Sequence, residues 1–237
     1  MAAPTTWRAA VLCVLADRPL AFLAAFSAAV AVLMMLLFSG GGLRASQSML
    51  AIATTVVAVG ATRGLISGDR VQERWVILFQ RPDPPHLHYA RVLALTAGVV
   101  GVLLAVSAIG LAIAADIPTA LAAWSGAVLW AVVCMATATG ISSLVRRFDL
   151  EITLLLIAAS LGQGYLLPIV GVSGAAASIT SYMLLPIDGV FMLWGWLLET
   201  GALPPPGRIV HTLAYPMAWL AVAAWRLTGP RGRYATD

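Results

Sequence analysis

Apolar runs separated by short polar joints make up most of this chain. They cover about 20–38, 49–66, 92–115, 121–144, 150–170 and 209–227. Each is near the ~20 residues that a helix needs to cross the hydrocarbon core of a bilayer. The pattern therefore predicts an all-α integral membrane protein with six transmembrane helices. Ahead of the first run, residues 5–18 put Trp7, Val11, Val14 and Leu15 on one face, with Arg8 and Asp17 elsewhere, before Pro19 breaks the pattern. This is the periodicity of an interfacial helix lying on the membrane surface, or of an extension of the first span. A seventh run, 175–198, is cut by Pro186 and Asp188 into two pieces too short to cross alone. A broken, re-entrant or surface-lying helical pair within 171–208 is expected there, and Pro204-Pro205-Pro206-Gly207 then resets the chain before the last span.

One polar interval is long. Between Arg63 and Arg91 stand five of the fourteen arginines, with apolar runs on both sides. Within it Val71, Trp75, Leu78 and Phe79 recur at helical spacing, while Asp69, Arg70, Gln72, Glu73, Arg74 and Gln80 occupy the other faces. Asp69 and Gln72 have the spacing of an N-cap and its capping-box partner. Pro82, Pro84 and Pro85 forbid continuation beyond Arg81. A short amphipathic helix over 67–82 is predicted, stopped abruptly between two spans.

Composition sharpens this picture. Hydrophobic residues are 61% of the 237, and charged residues only 10%, where a soluble domain carries roughly 25%. The pI near 9.6 does not point to nucleic acid, because the arginines flank apolar runs and form no continuous stripe. Positive-inside topology explains them better. With six spans, Arg8, Arg18, Arg63, Arg70, Arg74, Arg81, Arg91, Arg146, Arg147, Arg226, Arg231 and Arg233 share one side, and only Arg44 and Arg208 face the other. Both termini are then cytoplasmic, in a multi-pass protein of the cell membrane. Cys13 and Cys134 stand far apart without a CxxC and act as small apolar fillers. No cleavable signal peptide is expected, no internal repeat is evident, and one domain spans 1–237.

Several residues invite chemical readings. His86 and His88 supply too few ligands for a metal and are expected to be solvated loop residues. Gly171-Val-Ser-Gly174 with His211 resembles the Ser–His pair of rhomboid intramembrane proteases, since a serine nucleophile needs a base within hydrogen-bond reach. A glycine-rich loop explains Ser173 more simply. Gly60, Gly64 and Gly68 have the small-xxx-small spacing of close helix packing. Asp188 and Glu199 lie in the external broken segment, at an exit mouth or simply hydrated. There is no GxxxxGK[ST] loop, and a chain without lysine cannot contain one.

The stretch Ser67-Gly-Asp-Arg-Val-Gln-Glu-Arg-Trp-Val-Ile-Leu-Phe-Gln-Arg-Pro82, followed by Tyr89-Ala-Arg91, resembles the coupling region of ABC-2 type transporter permeases. Asp69, Arg70, Arg74, Trp75, Leu78, Pro82 and Arg91 stand where that family's pattern expects them, and Glu73 stands where Gly is usual. The architectural likeness covers nearly the whole chain and the motif about thirty residues. The resemblance implies a half-transporter that pairs with a second permease copy or paralogue. Asp69, Arg70, Glu73, Arg74, Trp75, Leu78, Phe79 and Pro82 would rest on a cytosolic ATPase subunit. Arg146 and Arg147 would make a second cytoplasmic contact, and Pro186 and Asp188 an external gate. No cofactor is expected in this chain, since ATP and Mg belong to the ATPase. The cargo would be apolar or amphipathic, and usually exported. The other readings are an intramembrane serine protease built on Ser173 and His211, and a non-transporting scaffold that holds a cytosolic partner through 67–82.

Overall fold

A long helix of small residues sits at the centre of the computed structural model, which describes residues 3–17, 19–38, 43–68, 84–145, 147–169, 171, 173–199 and 203–228. Among them no strand occurs. The helices in chain order are α1 (Ala3–Asp17), α2 (Leu20–Leu37), α3 (Leu43–Thr62), α4 (Pro85–Ala114), α5 (Ile117–Leu144), α6 (Asp149–Leu161), α7 (Gln163–Ile169), α8 (Gly174–Met183), α9 (Ile187–Glu199) and α10 (Pro206–Thr228).

Three of them, α2, α4 and α5, are long and apolar enough to cross a membrane. Their exposed surfaces are compatible with one: on α2, only Leu23, Ser27, Val30 and Met34 are buried, a single stripe at i, i+4, i+7 and i+11. The outer face carries Phe22, Val32, Leu36 and Leu37, all exposed. Apolar patches on that scale are not left to water.

The remaining predicted spans take several forms. α3 is a 20-residue helix over Leu43–Thr62, with an apolar stretch at Gln47–Thr62. In α10, Arg208, His211, Pro216 and Arg226 interrupt the apolar character. The run over 150–170 is not one helix: it breaks at Gly162, whose N–H donates to the carbonyls of Ala158 and Ser160, and leaves α7 as a short piece containing Pro168. The α4 helix starts at Pro85, ahead of the apolar run, because proline at the first helical position loses no hydrogen bond. His86 and His88 accordingly lie in a helical first turn and not in a solvated loop. His88 is buried, and its ring meets that of Tyr89 edge-on at 5.6 Å. Between 171 and 208 the chain forms α8 and α9, joined at a corner where Leu185, Pro186 and Ile187 are all buried.

Around α5 pack α3, α4, α6, α9 and α10, and 78% of its most apolar window is buried. Alanine, glycine and serine allow that crowding. A Cβ on Gly126 would strike the ring of Trp194 from α9, and one on Gly140 would strike Trp219 from α10. On α4 a Cβ at Gly110 would strike the Ala31 carbonyl of α2. Trp130 and Trp194 are the largest fully buried side chains, bridged by Phe191 with centroid distances of 6.4 and 5.9 Å. Two indoles also tie α5 to its neighbours: Trp130 Nε1 donates to Thr55 Oγ1 at 2.9 Å, and Trp124 Nε1 to the Gly101 carbonyl at 3.0 Å. The helix begins at Asp116, whose carboxylate accepts from the Thr119 N–H. That bond and a second one from the Thr119 hydroxyl hold the Asp116 carboxyl below its ordinary pKa.

A second, smaller cluster gathers Ala10 and Val14 of α1, Leu65 and Ile66, Tyr89 and Val92 of α4, and Leu227 of α10. It marks one end of the bundle. There Arg91 lies over the Trp7 ring at 5.9 Å, holding α1 against α4.

Close helix approach through glycine is directly testable. Gly110→Val should cost about 1–3 kcal/mol by overpacking, read as lowered thermal stability in detergent. Gly98→Ala on the same helix, with nothing within 4 Å of the added methyl, should be neutral or stabilise by up to about 1 kcal/mol.

Candidate functional site

The turn that leads from α3 towards the arginine-rich interval is held by side chains from two other helices. After Thr62 the chain leaves the helix through Gly64, at φ +62°, a conformation that glycine adopts without steric cost. The Gly68 N–H closes back on the Gly64 carbonyl at 3.0 Å. Ser142, near the end of α5, accepts with its Oγ from the N–H groups of both Ile66 and Ser67, at 3.1 and 2.9 Å. Asp149, the first residue of α6, accepts with Oδ2 from the Ser67 hydroxyl at 2.8 Å and from the Gly64 N–H at 3.2 Å. Leu65, Ile66, Ser67 and Ser142 are all buried. Hydrogen bonds to a charged acceptor are the stronger kind, about 1.5–3 kcal/mol each. Residues 64–67 are thus fixed to α5 and α6 by four bonds, with Leu65 and Ile66 packed into the smaller cluster beneath.

This geometry bears on the glycine pattern. Gly60 lies in α3, where an added Cβ would meet Leu23 of α2 at 3.2 Å, so it does serve close packing. Gly64 serves the turn instead, because its positive φ ends the helix. The proposed ATPase contacts Asp69, Arg70, Glu73, Arg74, Trp75, Leu78, Phe79 and Pro82 lie outside the described residues, as does Arg146. Arg147 is described: it is exposed and stands two residues before Asp149. Ser67, the first residue of the segment predicted as a coupling helix, is itself bonded to α6 and α5.

At the other end of α10 a different group forms. Pro186 is buried in the α8–α9 corner, which is secured by the Leu185 N–H donating to Ser160 Oγ at 3.0 Å. Asp188, in the first turn of α9, approaches Arg208 at 3.5 Å. A Cβ on the intervening Gly189 would strike Thr212 Oγ1, so α9 and α10 meet closely here. Arg208 also lies over the Tyr182 ring at 5.5 Å. His211 makes edge contacts with Tyr182 at 5.0 Å and with Tyr215 at 5.7 Å, and Tyr215 continues to Trp219 at 6.4 Å.

Ser173 and His211 are not paired. Ser173 is exposed ahead of α8, while His211 sits against Tyr182 near the opposite end of that helix, about 13 Å of helical rise away. The His211 imidazole is packed against the Tyr182 ring and away from Ser173. No three histidine, cysteine, aspartate or glutamate side chains among the described residues could share a metal ion.

No family model, curated protein or solved structure matches the chain. The pinned turn and the aromatic column on α10 were not singled out by sequence reasoning. Ser142-Ser143 closing an apolar run, and Asp149 directly after Arg146-Arg147-Phe148, carry a faint signal for the first. His211, Tyr215 and Trp219 at i, i+4 and i+8 carry one for the second.

Removing the shared acceptor should loosen the turn. Asp149→Ala leaves the Ser67 hydroxyl and the Gly64 N–H without an acceptor, a loss of about 2–3 kcal/mol. Limited trypsinolysis after the exposed Arg63 should accelerate in that variant; an unchanged cleavage rate would mean that the turn is held by apolar packing alone.

Proposed function

We propose that this chain is the membrane-spanning subunit of an ABC-2 type transporter, driven by a separate cytosolic ATPase. The observation that carries this reading is the pinned turn. A docking helix transmits force only if its root is fixed to the elements that must move. Here the root, Ser67, is bonded to α6 through Asp149 and to α5 through Ser142. Displacement of residues 69–82 by an ATPase would pass directly into those two helices.

In this reading the chain crosses the membrane six times with both termini cytoplasmic. The end marked by Leu65, Tyr89 and Leu227 is cytoplasmic, which suits the positive-inside bias: Arg63, Arg91, Arg147 and Arg226 stand on segments that reach it. The segment 67–82 presents Asp69, Arg70, Glu73, Arg74, Trp75, Leu78 and Phe79 to a groove on the ATPase, in the manner of an amphipathic helix bound by its apolar face. Arg146 and Arg147 make the second cytoplasmic contact. A second permease, copy or paralogue, completes a pathway that six helices are too few to enclose. The cargo is apolar or amphipathic and moves outward, with Pro186 and Asp188 at the external gate.

Two measurements test this. Reporters fused after Asp237 and within 83–88 should report cytoplasm, and one at Gly201 the opposite side; a cytoplasmic signal at Gly201 overturns the six-span topology. Glu73→Arg and Trp75→Ala should insert normally yet lose the co-purifying ATPase, since like-charge contacts cost several kcal/mol and a central aromatic anchor about 2 kcal/mol or more. Ser67→Ala should retain the ATPase but lower transport per ATP hydrolysed. Full ATPase binding and transport in all three would mean that 67–82 is merely a membrane-surface element, and the ABC-2 reading would lose its main support.

A further inference from the structure

The helix α6 is bonded at both of its ends, to the turn at 64–67 and to the α8–α9 corner. At its start Asp149 accepts from the Ser67 hydroxyl and the Gly64 N–H, at 2.8 and 3.2 Å. Near its far end Ser160 Oγ accepts from the Leu185 N–H at 3.0 Å, and the same hydroxyl donates to the Leu156 carbonyl at 2.7 Å. Ser160 and Leu185 are both buried. A hydrogen bond shielded from water is electrostatically stronger, and breaking it leaves a bare donor. The two latches stand about 16 Å of helical rise apart.

Between the latches α6 is held lightly. Thr153, Ile157 and Ser160 form one buried stripe, and the helix packs on α5. Leu154, Leu155 and Leu161 are exposed away from that stripe. The neighbouring α5 differs, because α3, α4, α6, α9 and α10 all pack on it and it cannot slide without them. At Gly162 the helix stops, so α7 does not lengthen it into a longer rod. Its start is firmly placed: Phe148, the residue before it, has φ +65°, a left-handed conformation that a bulky side chain adopts only when its surroundings impose it. A stiff helix with little packing along its length and a bond at each tip passes an axial shift from one tip to the other.

We infer that α6 is a strut that couples the turn at 64–67 to the corner at 184–187, so that opening at either place favours opening at the other. A turn drawn away from the bundle takes Asp149 with it, the helix follows, and Ser160 leaves the Leu185 amide. The corner holds Pro186 and leads into α9, where Asp188 meets Arg208. Whatever acts on the turn is thus felt at the opposite end of α6. The strut stands on these bonds alone and needs no ATPase.

Hydrogen exchange and limited trypsinolysis of the full chain in detergent test it in both directions. Asp149→Ala releases the near latch and should speed exchange of the Leu185 amide about threefold or more, since exchange follows local opening. Ser160→Ala releases the far latch and should speed trypsin cleavage after the exposed Arg63 by a similar factor, because such coupling is reciprocal. Leu155→Gly, at a position 72% exposed, softens the helix and touches neither latch. In that background both cross-effects should vanish. Gly110→Val disturbs α4 against α2 and should change neither rate well below the unfolding temperature. Absence of either cross-effect overturns the strut. Persistence of both in Leu155→Gly also overturns it, because the link would then run through α5. Acceleration of both rates by Gly110→Val overturns it as well, by reducing the effects to general loosening. If Asp149→Ala does not fold, Ser160→Ala with and without Leu155→Gly decides. Trp75→Ala should leave both rates unchanged, so failure of the strut and failure of ATPase docking are separable.

Discussion

Close approach of helices to α5 is the constraint on which the other features depend. Its buried positions include Ala120, Ala123, Gly126, Ala127, Ala131, Ala136, Ala138, Gly140, Ser142 and Ser143, small residues that leave room for neighbouring helices beside the one large buried ring of Trp130. Without a water-driven hydrophobic effect between helices, as inside a bilayer, association relies on dispersion and on short-range packing, which small residues make possible. The bulk is supplied by the neighbours: Trp194 fills the space above Gly126 and Trp219 that above Gly140. A large side chain on α5 at either point would displace a whole helix, not one ring.

This arrangement links the two polar groups. Ser142, two residues beyond Gly140, holds the turn at 66–67. The Trp219 ring that packs on Gly140 is also the last member of the chain Tyr182, His211, Tyr215, Trp219. A shift of α5 along its axis therefore disturbs the turn at one end and the α10 column at the same time. Interiors packed to this density pass displacements on between neighbours and do not absorb them, which is the physical content of the coupling proposal.

The two groups differ in what holds them. In the turn, Asp149 and Ser142 between them accept four donors, and the result is a rigid joint. On α10, His211 and Tyr215 are held by edge-on ring packing between Tyr182 and Trp219, beside a surface ion pair. A satisfied network favours a fixed position.

The sequence by itself determined the all-helical character, the apolar lengths of α2, α4 and α5, and the interruption between α8 and α9 at Pro186. These follow from local rules: hydropathy over about 20 residues and the backbone limits of proline act within one segment. Tertiary structure decided the rest. Gly162 breaks the 150–170 run although its composition is continuous, and His88 is buried although it stands beside prolines that suggest an open loop. Gly64 matches a helix-packing spacing yet takes a left-handed turn, because Ser142 and Asp149, more than seventy-five residues away in sequence, are placed to hold it. Which serine meets which backbone amide depends on the position of α5 against α3 and α6. That position is set by the fit of bulky rings over small residues, and no window of sequence contains both partners.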